Sequence, residues 1–155
     1  MATRNDSLVR HLICIALMLQ SADIFADWRE AVPNAHLLGS GDMRVFGFSV
    51  YSAQFWSPRL IAGEPLVADA PFALELTYSR AISRDDLVEA SIKEIRRLSP
   101  YGLNSELMGR WEREMQHAFV NVRAGDRITG VYVPGEGVRF YFGDNLRRVV
   151  RDEAF

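Results

Sequence analysis

Between Phe72 and Arg80 the chain alternates. Phe72, Leu74, Leu76, Tyr78 and Arg80 fall on one parity, and Ala73, Glu75, Thr77 and Ser79 on the other. That period of two predicts a half-buried strand, with one face mostly apolar and the other mostly polar. The pattern then changes to the spacing of a helix. Val88, Ile92, Ile95 and Leu98 recur every three or four positions. Ser83 with Asp86 resembles a capping box, and Asp85 and Asp86 suit the positive end of the helix dipole. Arg96 and Arg97 suit its other end, and Pro100-Tyr101-Gly102 stops the helix. A second helix is predicted from about Ser105 to Ala118, with Leu107, Met108, Trp111, Met115 and Ala118 on one side. The short connection implies an antiparallel helix pair lying on a sheet. Upstream, Met43 to Trp56 is rich in β-branched and aromatic residues and reads as extended, with Gly39-Ser40-Gly41-Asp42 as the turn before it. Gly63 to Pro71 reads as a loop. Downstream, turn sequences at Gly125-Asp126, Pro134 to Gly137 and Gly143 to Asn145 separate Arg127–Val133, Val138–Phe142 and Leu146–Val150. Strands, two helices, then a β-meander predict an α+β fold with a largely antiparallel sheet.

The first 26 residues break this pattern. Arg4, Arg10 and His11 precede an uninterrupted apolar run from Leu12 to Leu19, and small residues follow at Ala22 and Ala26. That order predicts a secretory signal peptide over residues 1–26, cleaved after Ala26 or alternatively Ala22, and a periplasmic or secreted domain over 27–155. The competing reading is an amphipathic N-terminal helix of a cytoplasmic protein. The run is far short of the roughly 20 residues a spanning helix needs, so no stable membrane insertion is expected once the leader is removed. Cys14, the lone cysteine, lies inside the run after Ile13, where a lipoprotein signal would have a small residue. The exported domain therefore has to be stable without disulfides.

Composition narrows the chemistry. A chain of 155 residues with 48% hydrophobic and 25% charged residues is long enough for one domain and one core. The net charge is -2, and the basic residues, all arginine except Lys93, are scattered, which argues against a nucleic-acid partner. No glycine-rich phosphate loop, paired-cysteine site, His-Glu-x-x-His or nucleophile elbow is present, and His36 and His117 lack companion ligands. Neither a metal nor a cofactor is expected.

Two arginines invite attention. On a regular strand, Tyr78 and Arg80 emerge beside Phe72, Leu74 and Leu76, so a guanidinium could seat an acidic headgroup while the row holds its tail. Alternatively Arg80 lays its stem along the strand end and pairs with Asp85 or Asp86. Arg44 shares a parity with Phe46, Phe48 and Val50; it either caps an apolar cleft or is an edge-strand charge. Trp56 and Trp111 read as core.

These same segments resemble a known family. Gly39-Ser-Gly-Asp-Met-Arg44-Val-Phe-Gly-Phe-Ser-Val-Tyr51-Ser-Ala53 is similar to the N-terminal hairpin of bacterial exported chalcone isomerase-like proteins. Leu74-Glu-Leu-Thr-Tyr78-Ser-Arg80-Ala-Ile-Ser83 resembles their central strand running into a helix. Trp111 with Met115, then Gly125 to Gly135, resembles their second helix and following hairpin. The resemblance covers about Trp28 to Phe155 and implies an open-faced β-sandwich of chalcone isomerase type, an antiparallel sheet with helices packed on one face and a ligand cleft between. In that superfamily, enzymes cyclise chalcones and non-catalytic members bind fatty acids. Both use an arginine of the first hairpin, here Arg44, assisted by a hydroxyl residue in the region of Tyr51 or Ser52.

Departures from the enzymes matter too. The segment from Arg44 to Ser52 is shorter; unbroken, it would span about 26 Å, so only a turn near Gly47 could bring its ends together. The enzymes' tyrosine and asparagine pair has no clear match after Arg80, and Tyr78 is the nearest candidate. The resemblance also implies a final aromatic-rich helix beyond a segment like Asp152 to Phe155, where this chain stops, leaving an expected cleft short of one wall. The resulting expectation is non-catalytic binding of a fatty acid or similar apolar acid, with Arg44, Tyr51, Ser52, Tyr78 and Arg80 as candidate ligand-binding residues. The alternatives are an intramolecular lyase of the chalcone–flavanone isomerase type, which would take a phenolic ligand, and a structural or partner-binding role.

Overall fold

The computed structural model describes residues 27–59, 69–99 and 102–155. The expected leader, most of the loop over 63–71, and Pro100-Tyr101 lie outside the described residues.

Six strands form one sheet in chain order, each antiparallel to the next: β1 (His36–Val45), β2 (Phe48–Ser57), β3 (Phe72–Tyr78), β4 (Arg127–Val133), β5 (Gly137–Phe142) and β6 (Asn145–Val150). A short helix, α1 (Trp28–Ala31), precedes the sheet, and α2 (Arg84–Leu98) and α3 (Ser105–Ala118) lie between β3 and β4. This is the α+β arrangement expected from the alternation of periods.

The helices start where their caps are. Ser83 Oγ accepts from the Asp86 N–H at 3.1 Å and donates to the Asp86 carboxylate at 2.6 Å, so Ser83 is the N-cap, and the Asp86 carboxylate meets its hydroxyl rather than its backbone N–H. Asn104 serves α3, accepting from the Glu106 N–H at 2.7 Å. The apolar stripes of α2 and α3 then meet: Val88 and Ile92 pack with Met108, Trp111 and Met115. Their undersides reach the sheet through Leu87 on Tyr78 and Ile128, and through Ala118 on Phe140 and Val150.

Two expectations about the first hairpin fail. Gly39 to Asp42 is not a turn but the middle of β1, paired with Phe55 to Ser52. A ten-residue partner strand outweighs the local preference of two glycines. The turn lies instead inside the run read as extended, at Phe46 and Gly47, whose φ angles of 49° and 84° are both left-handed. This is the reversal near Gly47 that the short Arg44–Ser52 segment required. It also ends the supposed parity of Arg44 with Phe46 and Phe48, because Phe48 now opposes Val45.

Candidate functional site

In an antiparallel sheet, directly opposed residues share a face. Phe55, Leu74 and Gly130 are opposed in turn, as are Ala53, Leu76 and Ile128, so these rows face the helices together with Tyr51, Tyr78 and Phe72. The helix pair covers only part of this front face. It lies over Tyr78, Ile128, Phe140 and Val150. Towards β1 and the far end of β3 the face is left open: Leu74 is 44% exposed, and Phe55, Phe72 and Tyr132 form a half-buried aromatic row across three strands. Ring centroids there are 5.5 Å apart for Phe55–Phe72 and 5.2 Å for Phe72–Tyr132, the latter stacked. The result is an apolar floor with one helical wall.

The back face inverts the reading of β3 as apolar on one side and polar on the other. Glu75, on the supposedly solvated parity, is 5% exposed, and Ala73 is fully buried. Trp28 of α1 lies over them at 0% exposure, with Val32, Val131 and Tyr141. Its indole Nε1 donates to Glu75 Oε2 at 3.2 Å, and the same oxygen accepts from Arg127 at 3.4 Å and Thr129 at 3.5 Å. Alternation assigned Glu75 its side correctly but could not say what covers that side. Trp28, forty-seven residues away, does.

Of the five candidate residues, Tyr51 and Tyr78 are brought together. They are cross-strand partners on the front face, with rings edge-on at 6.0 Å. Burial, aided by the neighbouring Tyr51, raises the Tyr78 phenol well above its ordinary pKa. It is therefore a neutral hydrogen-bond donor and acceptor, not a base. Arg44 lies opposite Ser49 near the hairpin turn and is exposed; its neighbour Met43 opposes Tyr51, so alternation starts the Arg44 side chain on the back-face side of the edge strand. Ser49 Oγ is 3.1 Å from Ser79 Oγ, which brings the end of β3 beside the hairpin. Arg80 follows Ser79, but β3 stops at Tyr78, so Arg80 does not extend the apolar row as a regular strand would have it. Its proposed pairing is also unmet: Asp85 pairs with Arg84, and Asp86 bonds Ser83. Ser52 opposes Asp42 and Thr77, on the back face by alternation, away from Tyr51.

Two hollows lie elsewhere. One of about 650 Å³ is lined by polar groups including Arg84, His117, Asn121 and Arg147, and one of about 500 Å³ by Arg110, Glu114, Arg148 and Asp152. Neither includes a candidate residue. No cluster of metal-ligating side chains occurs among the described residues, and no helix of theirs is long and apolar enough to cross a membrane.

The C-terminal segment braces the covered half. Burial opposes the charge of Asp152, but hydrogen bonds from Trp111 Nε1, the Ala154 N–H and Arg110 outweigh it and hold the carboxyl below its ordinary pKa. That turn sets the Phe155 ring edge-on to Trp111 at 5.5 Å and to Phe140 at 5.8 Å.

Comparison with known proteins agrees with this architecture. A solved fatty-acid binding protein of Arabidopsis thaliana superposes with a TM-score of 0.61 at 14% identity, over 78% of this chain and 75% of that one, a likeness of fold. No curated protein matches the sequence. The model of the chalcone isomerase-like family matches residues 30–155, and the chain belongs to that family.

Proposed function

We propose that the protein binds a fatty acid or similar apolar acid without transforming it, the tail lying along the open front face and the carboxylate meeting Arg44. The long Arg44 stem starts from the back-face parity at the exposed end of edge strand β1 and reaches round that edge. The observation that carries this is the row of exposed Leu74 with half-buried Phe55, Phe72 and Tyr132, over which no described helix lies. Ser49, opposite Arg44, is six residues from Phe55 along β2, or about 20 Å at strand rise, room for a long chain between headgroup and floor. Half-buried Tyr51 lies between them and offers a hydroxyl, with Tyr78 buried beside it under the helix. The family and the fatty-acid binding structural neighbour support the same ligand class.

Titration with a long-chain fatty acid tests this. Arg44 is exposed, so its pair with a carboxylate stays partly hydrated. A hydrogen bond to a charged group contributes about 1.5–3 kcal/mol, and Arg44→Ala should weaken binding by at least about tenfold. Arg80→Ala should change little; if it takes the larger loss instead, Arg80 holds the headgroup. Unchanged affinity in both variants, with folding intact by circular dichroism, refutes the acid-binding site. As a control in the same series, a chalcone should lose its absorbance no faster with the protein than without it, whereas a rate abolished by Arg44→Ala would make the protein an isomerase.

We also propose export with removal of residues 1–26. Asp27 and Trp28 take part in the fold: the Asp27 carboxylate accepts from the Arg29 N–H at 3.1 Å, and Trp28 is buried. Cleavage after Ala26 spares both. N-terminal sequencing of exported protein should begin at Asp27; an intact leader on cytoplasmic protein contradicts the proposal.

A further inference from the structure

The tip of the first hairpin carries apolar side chains that nothing in the described fold uses. Its two turn residues both adopt left-handed backbone, a conformation that suits asparagine, aspartate or glycine and strains an aromatic residue. Gly47 fits this need, but Phe46 does not. A strained phenylalanine usually compensates by packing, yet Phe46 is 96% exposed. Phe48, opposite Val45, is 72% exposed, and Val45 and Met43 are each nearly half exposed. Strain without internal compensation points outside the chain.

The tip itself carries positive charge, with Asp42 further down the strand. From Met43 to Ser49 the only charged residue is Arg44. Arg80 stands next to the hairpin base, because the preceding Ser79 donates its N–H to Val50 O at 2.8 Å and meets Ser49 through its side chain. Among the described residues neither Arg44 nor Arg80 has a carboxylate partner, whereas Arg97, Arg127, Arg139 and Arg148 each do. Four apolar side chains on a convex turn are far too few for a stable protein interface, which takes roughly 20–30 residues a side. A convex apolar tip flanked by unpaired arginines suits a soft interface with anionic groups at its edge.

We propose that this hairpin docks reversibly on an anionic lipid bilayer, with Phe46 and Phe48 entering the boundary between headgroups and acyl chains while Arg44 and Arg80 meet lipid phosphates. The site is peripheral and involves no spanning segment. It shares Arg44 with the acid-binding reading but not Phe46 and Phe48, which are not part of the open floor.

A reporter at the tip tests this without interference from other membrane-active segments. In a Cys14→Ser background, Phe48→Cys carries an environment-sensitive dye, and Pro134→Cys, in the β4–β5 turn at the opposite end of the sheet, carries the same dye as control. Vesicles of phosphatidylglycerol and phosphatidylcholine should blue-shift the dye at position 48 and leave that at 134 unchanged. Co-sedimentation with these vesicles should weaken at least about tenfold in Phe46→Ser/Phe48→Ser. Arg44→Gln/Arg80→Gln should abolish the preference over pure phosphatidylcholine. Equal dye responses at both ends, or undiminished sedimentation of the double-serine variant, overturns the proposal. So does self-association without vesicles that the serine substitutions abolish, which would make the occupant a second copy. Fatty-acid affinity of the double-serine variant in vesicle-free solution should stay at the wild-type value, so failure of the lipid site and of the acid site are read separately.

Discussion

Trp28→Ala is expected to destabilise the protein by about 3–5 kcal/mol, the range for removing a fully buried large aromatic. Two effects combine. The indole fills the layer between α1 and the back of the sheet, against Val32, Ala73, Val131 and Tyr141, and Trp56 leans on it with ring centroids 5.8 Å apart. Its Nε1 is also one of three donors to the buried Glu75 oxygen, and the two that remain, Arg127 and Thr129, are longer contacts. A carboxylate that loses a donor while still shielded from water retains its desolvation cost without the compensation. For a domain of this size the melting temperature should fall by roughly 10–20 °C. Trp28→Phe separates the effects, since it keeps most of the packing and loses only the N–H, and should cost clearly less. Fatty-acid affinity of the folded fraction should not change, because Trp28 lies behind the sheet and the proposed floor lies in front. A loss of only a degree or two would mean that α1 contributes little to the fold.

That back layer marks the limit of what periodicity can reveal. The helices α2 and α3 were legible because each buries one stripe, so spacing and caps carry the same information as the structure. The strands of the meander were legible for a related reason: Arg127–Val133 and its successors are bounded by glycine-containing turns. Strand β1 was not, because it is exposed on both faces and paired along one edge, so no burial imprints a period on it. Its turn was hidden as well, since a phenylalanine occupies a position where turn chemistry calls for asparagine or glycine. For the site, the juxtaposition of Tyr51 with Tyr78 depends on register, and register depends on the turn that was misplaced. Arg44 entered through family resemblance, while its exposure and its place opposite Ser49 came only from the pairing. The open front face was invisible for the opposite reason. Leu74 lies on the apolar parity of β3, and no local pattern says that the helices stop short of it.

Gly137→Ala is expected to be the most disruptive glycine-to-alanine change among the described residues, costing about 2–6 kcal/mol. Gly137 opens β5 with φ of 120°, a conformation side chains rarely adopt, and strain of that kind costs about 1–3 kcal/mol. The added Cβ would also collide with the Val150 carbonyl oxygen and come within 2.9 Å of the Asp152 nitrogen. These are backbone atoms that no rotamer change can move aside, so overpacking adds a further 1–3 kcal/mol or so. The consequence reaches beyond β5. Val150 to Asp152 is where the chain leaves β6 to place Asp152 on Trp111 and Arg110, and Phe155 against Trp111 and Phe140. Displacing it loosens the brace between the sheet and α3, one of the two helices that wall the proposed floor. Gly135→Ala supplies the comparison: its φ of 76° is also left-handed, but a Cβ there meets nothing within 4 Å, so only about 1–2 kcal/mol of strain remains. Thermal denaturation of the two variants should show the larger loss at 137, with Trp111 fluorescence altered in that variant alone. Equal losses would mean that the chain at Val150 to Asp152 yields freely, and that the brace it forms on α3 is not a firm one.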